Sequence, residues 1–300
     1  MDFQLVPSDL FLAILQSISL PVLNQCKVTL TVKRDDQLHP IVSGNKAFKL
    51  KYNIVAALNA QADSLLTFGG AYSNHLHATA YAAYKKGLNS VGVIRGEQIL
   101  PLNPTLRDCV KWGMTLHPVS RKLYQEKSSE GFLQLLDAQY PNAFMIPEGG
   151  ASELGVKGAE EILADISLND FDYIVAACGT GTTLAGLIKA SKGEANVIGV
   201  PVLKNATWMY EEISRWLPAS DKRKKWDLWL DYHFGGYAKK NDDVIQFRKA
   251  IFEQISLPLD DIYTAKAFYA VLDQIEKGYF KVGSRILFCH TGGLQGMREQ

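Results

Sequence analysis

The sequence predicts an α/β protein of two three-layer αβα domains with mostly parallel sheets, and three observations lead there. Short runs rich in β-branched and aromatic residues alternate with helical runs for most of the chain, an order that pairs strands in parallel and covers both faces of a sheet with helices. At 300 residues, with 47% hydrophobic and 21% charged side chains, the chain has the length and apolar content for two cores. The turn Pro147-Glu148-Gly149-Gly150 has βα layers on either side, which puts a ligand between two open sheets. There is no repeat of solenoid period and no low-complexity linker.

The elements follow in order. Residues 28–32 form the first strand, and the charged turn Lys33-Arg34-Asp35-Asp36 ends it. Residues 45–60 are a good helical run with Asn45 as its cap. A strand at 64–68 leads through Gly69-Gly70 into an Ala-rich helix at 73–86, then a strand at 91–94. Strands at 114–118 and 143–146 flank a helical stretch at 131–138. Beyond the 147–150 turn come helix 156–166, strand 173–177, helix 182–190 and strand 197–202. Helices at 242–254 and 263–277 and a strand at 285–289 complete the pattern.

Composition removes several classes of function. With 32 basic against 31 acidic side chains, no global field favours nucleic acid or an anionic membrane. The one basic run, Lys222-Arg223-Lys224-Lys225, is flanked by Asp221 and Asp227 and reads as a solvated segment. Cys26, Cys109, Cys178 and Cys289 are scattered, with no zinc-ligand spacing, so no metal is expected and a reduced compartment fits. Residues 1–23 are fairly apolar, but Asp2 and Asp9 stand where a signal peptide needs basic residues. No stretch reaches the ~20 apolar residues of a membrane span. A cytoplasmic protein is the expectation.

Three segments carry chemistry. Ser43-Gly44-Asn45-Lys46 places a lysine behind a glycine turn in the first turn of a helix, where the positive end of the macrodipole favours the neutral amine. Amines that condense with carbonyl compounds need that depression, although a solvated helix-face lysine fits the same pattern. Cys178-Gly179-Thr180-Gly181-Thr182-Thr183 follows a strand and opens a helix; glycines, hydroxyls and a helix amino terminus make a phosphate cradle. It is neither a Walker motif nor a Gly-x-Gly-x-x-Gly fingerprint. Ser73-Asn74-His75 opens the next helix after Gly69-Gly70, where free N–H groups suit a carboxylate. A serine beside a histidine also admits a hydrolase, but no Gly-x-Ser-x-Gly elbow surrounds it.

Taken together with Ile-Pro-Glu-Gly-Gly at 146–150, Ile-Tyr-Thr-Ala-Lys at 262–266 and His-Thr-Gly-Gly at 290–293, these segments stand in the order of one family. From about 32 to 293 the chain resembles the pyridoxal-phosphate enzymes that contain D-cysteine desulfhydrase and 1-aminocyclopropane-1-carboxylate deaminase. The resemblance implies a tryptophan-synthase-β-like fold, with residues 1–45 and 153–300 as a larger cofactor-binding domain and 46–152 as a smaller substrate-side domain. It implies a homodimer, Lys46 as the lysine carrying pyridoxal 5'-phosphate, and Lys49 with Thr180, Gly181, Thr182 and Thr183 around the phosphate. Ser73, Asn74 and His75 would meet the substrate carboxylate, Asn74 also the ring hydroxyl of the cofactor, and Tyr237 and Tyr263 would lie near the substrate.

One position bears on the reaction. Ring-opening deaminases carry glutamate after the second tyrosine, against the pyridine nitrogen, whereas this chain has Thr264, as the D-cysteine lyases do; Thr291 is a second hydroxyl for that contact. A hydroxyl leaves the electron sink weaker and suits β-elimination of a good leaving group. The expectation is therefore deamination of a small amino acid by elimination. Ring opening, a binding protein without turnover, and a serine hydrolase on Ser73 and His75 remain as rivals. Departures from the family at Tyr72 and Leu76-His77-Ala78 flank the inferred substrate pocket and bear on substrate identity.

Overall fold

The computed structural model describes residues 14–97, 100–219, 225–239 and 241–298; the first 13 residues of the apolar amino-terminal stretch and residues 222–224 of the basic run lie outside the described residues. In chain order the elements are β1 (Leu15–Ser17), α1 (Pro21–Cys26), β2 (Thr29–Lys33), α2 (Asn45–Asn59), β3 (Ser64–Gly69), α3 (Asn74–Lys86) and β4 (Asn89–Arg95). There follow α4 (Pro104–Lys111), β5 (Met114–Val119), α5 (Arg121–Gln125), α6 (Glu130–Gln139), β6 (Ala143–Ile146), α7 (Glu153–Glu160), β7 (Tyr173–Cys178) and α8 (Thr182–Ser191). The last are β8 (Asn196–Pro201), α9 (Trp208–Trp216), β9 (Trp226–Leu228), α10 (Asp242–Ile255), α11 (Thr264–Glu276) and β10 (Arg285–Cys289).

The strands form two sheets, one of six in the order β1-β2-β10-β7-β8-β9 and one of four in the order β5-β4-β3-β6. Every pairing is parallel except β1 with β2, an antiparallel edge. The six-stranded sheet is buried on both faces. Leu30, Val32, Val175, Ile286 and Phe288 pack on α10 and α11 on one side, while Ile174, Ala176, Val197 and Leu287 pack under α7 and α8 on the other. Each of these fully buried Val, Leu, Ile and Phe side chains contributes about 1.5–3 kcal/mol, and the alternation within a strand follows from its two-residue period.

Between the sheets runs α2. Ala47, Leu50 and Ile54 join the core of the four-stranded sheet, whereas Phe48 joins that of the six-stranded one. Its other neighbour, α7, comes so close that a Cβ at Gly158 would lie 2.0 Å from the Phe48 carbonyl oxygen. That contact holds the first turns of α2 against α7, which packs in turn on α8.

Candidate active site

The helix that carries Lys46 begins differently from the sequence expectation. Its cap is Gly44, at φ 62° and ψ −149°, and no side chain caps it; Asn45 is already helical. The Gly44 N–H donates to the Asp35 carbonyl at 2.8 Å and the Asn45 N–H to the Thr291 carbonyl at 3.3 Å. A Cβ on Gly44 would sit 2.0 Å from that same Thr291 oxygen, so backbone angle and space both demand glycine. The freed Asn45 side chain donates to Thr183 Oγ1 at 2.9 Å and accepts from Lys46 Nζ at 2.6 Å. Burial lowers the Lys46 amine to about 8, against an opposing pull from Asp260. One turn on, Lys49 is buried and donates to the Gly149 carbonyl at 3.0 Å. Burial, then repulsion from Lys46, holds its pKa well below the usual lysine range.

The loop after β7 faces these amines. Gly181, at φ 80°, starts α8 without a side-chain cap, and a Cβ there would lie 2.8 Å from Ile213. Thr180 and Thr183 line the cavity. Thr182 does not; it is wholly buried, with its hydroxyl 2.9 Å from that of Thr180.

Ser73 caps α3, its oxygen accepting from the N–H groups of His75 and Leu76, both at 3.2 Å. Asn74 Oδ1 accepts from the side chain of Gln295, which Thr105 also holds, at 3.2 Å. Gln295 escaped sequence reasoning, since a glutamine in a short turn past the last strand carries no local signal. The His75 ring is buried and both its nitrogens lack partners among the described residues. Burial, then Lys46 and Lys49, holds it neutral, well below the usual histidine range. Ser73 therefore has no imidazole hydrogen-bonded to it and the imidazole has no carboxylate, which removes the serine hydrolase among the described residues.

On the far wall, Tyr237 and Tyr263 meet edge to face with ring centroids 6.0 Å apart. A Cβ on Gly179 would lie 3.3 Å from the Tyr263 ring. Burial, then Tyr237, pushes the Tyr263 hydroxyl well above the usual tyrosine range. Thr264 departs from its expected place. It is wholly buried and does not line the cavity. Its N–H and hydroxyl both donate to Asp260 Oδ1, at 2.9 and 2.7 Å, and its hydroxyl accepts from the Asp260 N–H at 2.8 Å. The reason is capping: Asp260 Oδ2 also takes the N–H groups of Ile262 and Tyr263, both at 2.9 Å, and the start of α11 consumes the threonine. Thr291, not Thr264, presents its side of the cavity with a hydroxyl-bearing residue.

The cavity that gathers Lys46, Lys49, Asn74, His75, Thr183 and Thr291 has a volume of about 380 Å³. Its chemistry fits a phosphorylated aldehyde. Two lysine amines, Lys49 buried and Lys46 half-buried, have no carboxylate bonded to them among the described residues, which a phosphate would compensate. The uncapped start of α8 and the orphaned His75 nitrogens offer further polar groups to an anionic, hydrogen-bonding ligand. Residues 14–292 match the profile of a family described as pyridoxal-phosphate dependent enzymes. A Pyrococcus abyssi protein, provisionally named a 1-aminocyclopropane-1-carboxylate deaminase, is 32% identical over 289 residues, covering 90% of this chain and 86% of its own. The mitochondrial bifunctional D-cysteine desulfhydrase/1-aminocyclopropane-1-carboxylate deaminase of Arabidopsis thaliana is 30% identical over 295 residues, covering 90% and 74%. Among solved structures, an ACC deaminase homologue superposes with a TM-score of 0.81 at 29% identity, over 98% of this chain and 92% of that one.

Proposed function

Because this chain belongs to the pyridoxal-phosphate-dependent enzymes, we propose that it deaminates a small amino acid by a D-cysteine-desulfhydrase-like β-elimination, releasing a keto acid and ammonia. The observation that carries the choice of reaction is that a hydroxyl, Thr291, and no acid lines that wall of the cavity, the Asp260 carboxylate behind it being taken up by the start of α11. Among the described lining residues the single carboxylate is Glu148, whose partner is Lys127 at 3.5 Å.

When bound, the cofactor supplies a conjugated ring that accepts the electron pair left at the α-carbon as its proton departs. Lys46 would hold it covalently, the 179–183 loop and Lys49 its phosphate, Asn74 its ring hydroxyl, and Thr291 its ring nitrogen. A hydroxyl at Thr291, unlike a carboxylate, gives no counter-charge to keep a pyridine nitrogen protonated, so a substituent that leaves as a stable anion is favoured over opening a carbon–carbon bond. Lys46 Nζ, as a free amine lowered by burial to about 8, would take the α-proton. Ser73, His75 and the start of α3 orient the carboxylate. Tyr263 stays protonated and, with Tyr237, hydrogen-bonds the sulfur as the Cβ–S bond breaks and its electron pair leaves on the thiolate. Water completes the release of keto acid and ammonia.

The proposed division into 1–45 with 153–300 and 46–152 is supported by the sheets, since every strand of the four-stranded one lies between 64 and 146. No helix among the described residues is long and apolar enough to cross a membrane; a cytoplasmic location rests on the scattered cysteines and the acidic residues Asp2 and Asp9, and a homodimer on the family resemblance. Ring opening is the second reading, favoured by the name of the Pyrococcus abyssi relative. Ammonia release from D-cysteine, β-chloro-alanine and 1-aminocyclopropane-1-carboxylate tests the choice. Release from the last alone overturns elimination, and release from none, with cofactor bound, makes the protein a binding protein.

A further inference from the structure

We infer that a recess beside the cavity binds an anionic group at the far end of the substrate, so that the preferred amino acids carry a negatively charged β-substituent. The inference rests on the reading above that the cavity takes an amino acid. The recess, about 620 Å³, is lined by Arg95, Arg121, Tyr124, Gln125, Lys127 and Glu148, among others. It shares Gly70, Arg95, Lys127 and Glu148 with the cavity, so the two meet along one edge.

The fold puts the cations there. Arg95 ends β4 and Arg121 begins α5, two residues beyond the neighbouring β5, so both stand at the carboxyl ends of adjacent parallel strands. Open α/β sheets bind ligands at that end. Lys127 is paired with Glu148 at 3.5 Å. The Arg95 and Arg121 guanidiniums have neither ion pair nor side-chain hydrogen bond among the described residues, and both are exposed. Three cations against one carboxylate leave the recess positive. At its inner wall Tyr124 is 3% exposed, and its buried hydroxyl lies near the Glu148 carboxylate without a well-formed hydrogen bond among the described residues. Burial first, then the nearby Glu148, raises its pKa, so it stays a neutral donor. Two guanidiniums without an ion pair, with the Tyr124 hydroxyl in the same recess, match the oxygens of a carboxylate, sulfonate or phosphate. In an elimination such a substituent departs with its bonding pair and its anionic tail, and no further reagent is needed.

The test compares S-carboxymethyl-cysteine with S-carbamoylmethyl-cysteine, which differ only in carboxylate against amide, each titrated into the holoenzyme through the cofactor's visible absorbance. The wild type should bind the carboxylate about tenfold more tightly, the size of one charge-assisted hydrogen bond. In Arg121→Gln the ratio should fall to about one or two while D-cysteine binding is unchanged, and Tyr124→Phe should reduce it in part. Equal binding of the pair by the wild type, or a ratio that survives in Arg121→Gln, overturns the subsite and leaves the amino-acid reading standing. Failure of every amino acid to perturb the absorbance overturns both.

Discussion

Gly44→Ala isolates the turn that aims Lys46. Gly44 has φ 62° and ψ −149°, a region held almost only by glycine, and a side chain forced there costs about 1–3 kcal/mol. The new Cβ would lie 2.0 Å from the Thr291 oxygen, where ordinary contact begins at 3.4 Å. Either α2 or the 290–293 loop must then retreat, and the Asn45 N–H bond to Thr291 is lost, about 0.5–1.5 kcal/mol more. Together these make roughly 2–4 kcal/mol, or about 5–15 °C in melting temperature at 2–4 °C per kcal/mol. An ångström of displacement at Lys46 should also cost about a hundredfold in turnover. Differential scanning fluorimetry measures the first effect, ammonia release the second, and cofactor absorbance the loading of the purified variant. A melting temperature within 2 °C of wild type and full cofactor loading would refute the role of this turn.

Gly181→Val should weaken cofactor affinity well beyond Thr182→Ala, because its Cβ meets Ile213 at 2.8 Å at a positive φ while the Thr182 hydroxyl bonds only Thr180; equal titration curves would remove the cradle. Thr291→Val should shift the cofactor absorbance and lower turnover with little change in melting, whereas Thr264→Val should lower melting by freeing Asp260, at about 1–3 kcal/mol; the reverse pattern would restore Thr264 to the site. Covalent loading of the apoprotein needs a neutral Lys46 amine, so its rate should rise with pH and level off above about 8. A rate still climbing past pH 10, as for an unshifted lysine, would contradict the burial of that amine.

The parallel sheets and most helices were legible because their signals are local. The 28–32 strand alternates apolar and polar residues, and the observed β2 is shifted by one residue. Strand Ala143–Ile146 falls at its expected bounds. The short β1 and β9 escaped because three residues carry no period, and both are sheet edges defined by their partners. Helix α4 does carry a local start signal, Asn103 as its cap and Pro104 as its first residue. At the site, the lysine and glycine loop were readable as short motifs. The Thr264 placement was not, since it turns on Asp260 capping α11 four residues earlier in the chain. Nor was Gln295, which reaches Asn74 across 221 positions of sequence.

Lys46 as the cofactor-bearing residue is the central claim. Borohydride reduction of the holoenzyme, digestion and mass spectrometry test it directly. The cofactor mass should appear on the peptide containing Lys46 and vanish in Lys46→Ala, while Lys49→Ala should hold cofactor more weakly yet still yield the Lys46 adduct. An adduct on Lys49, or on any other lysine of the wild-type protein, would contradict the account.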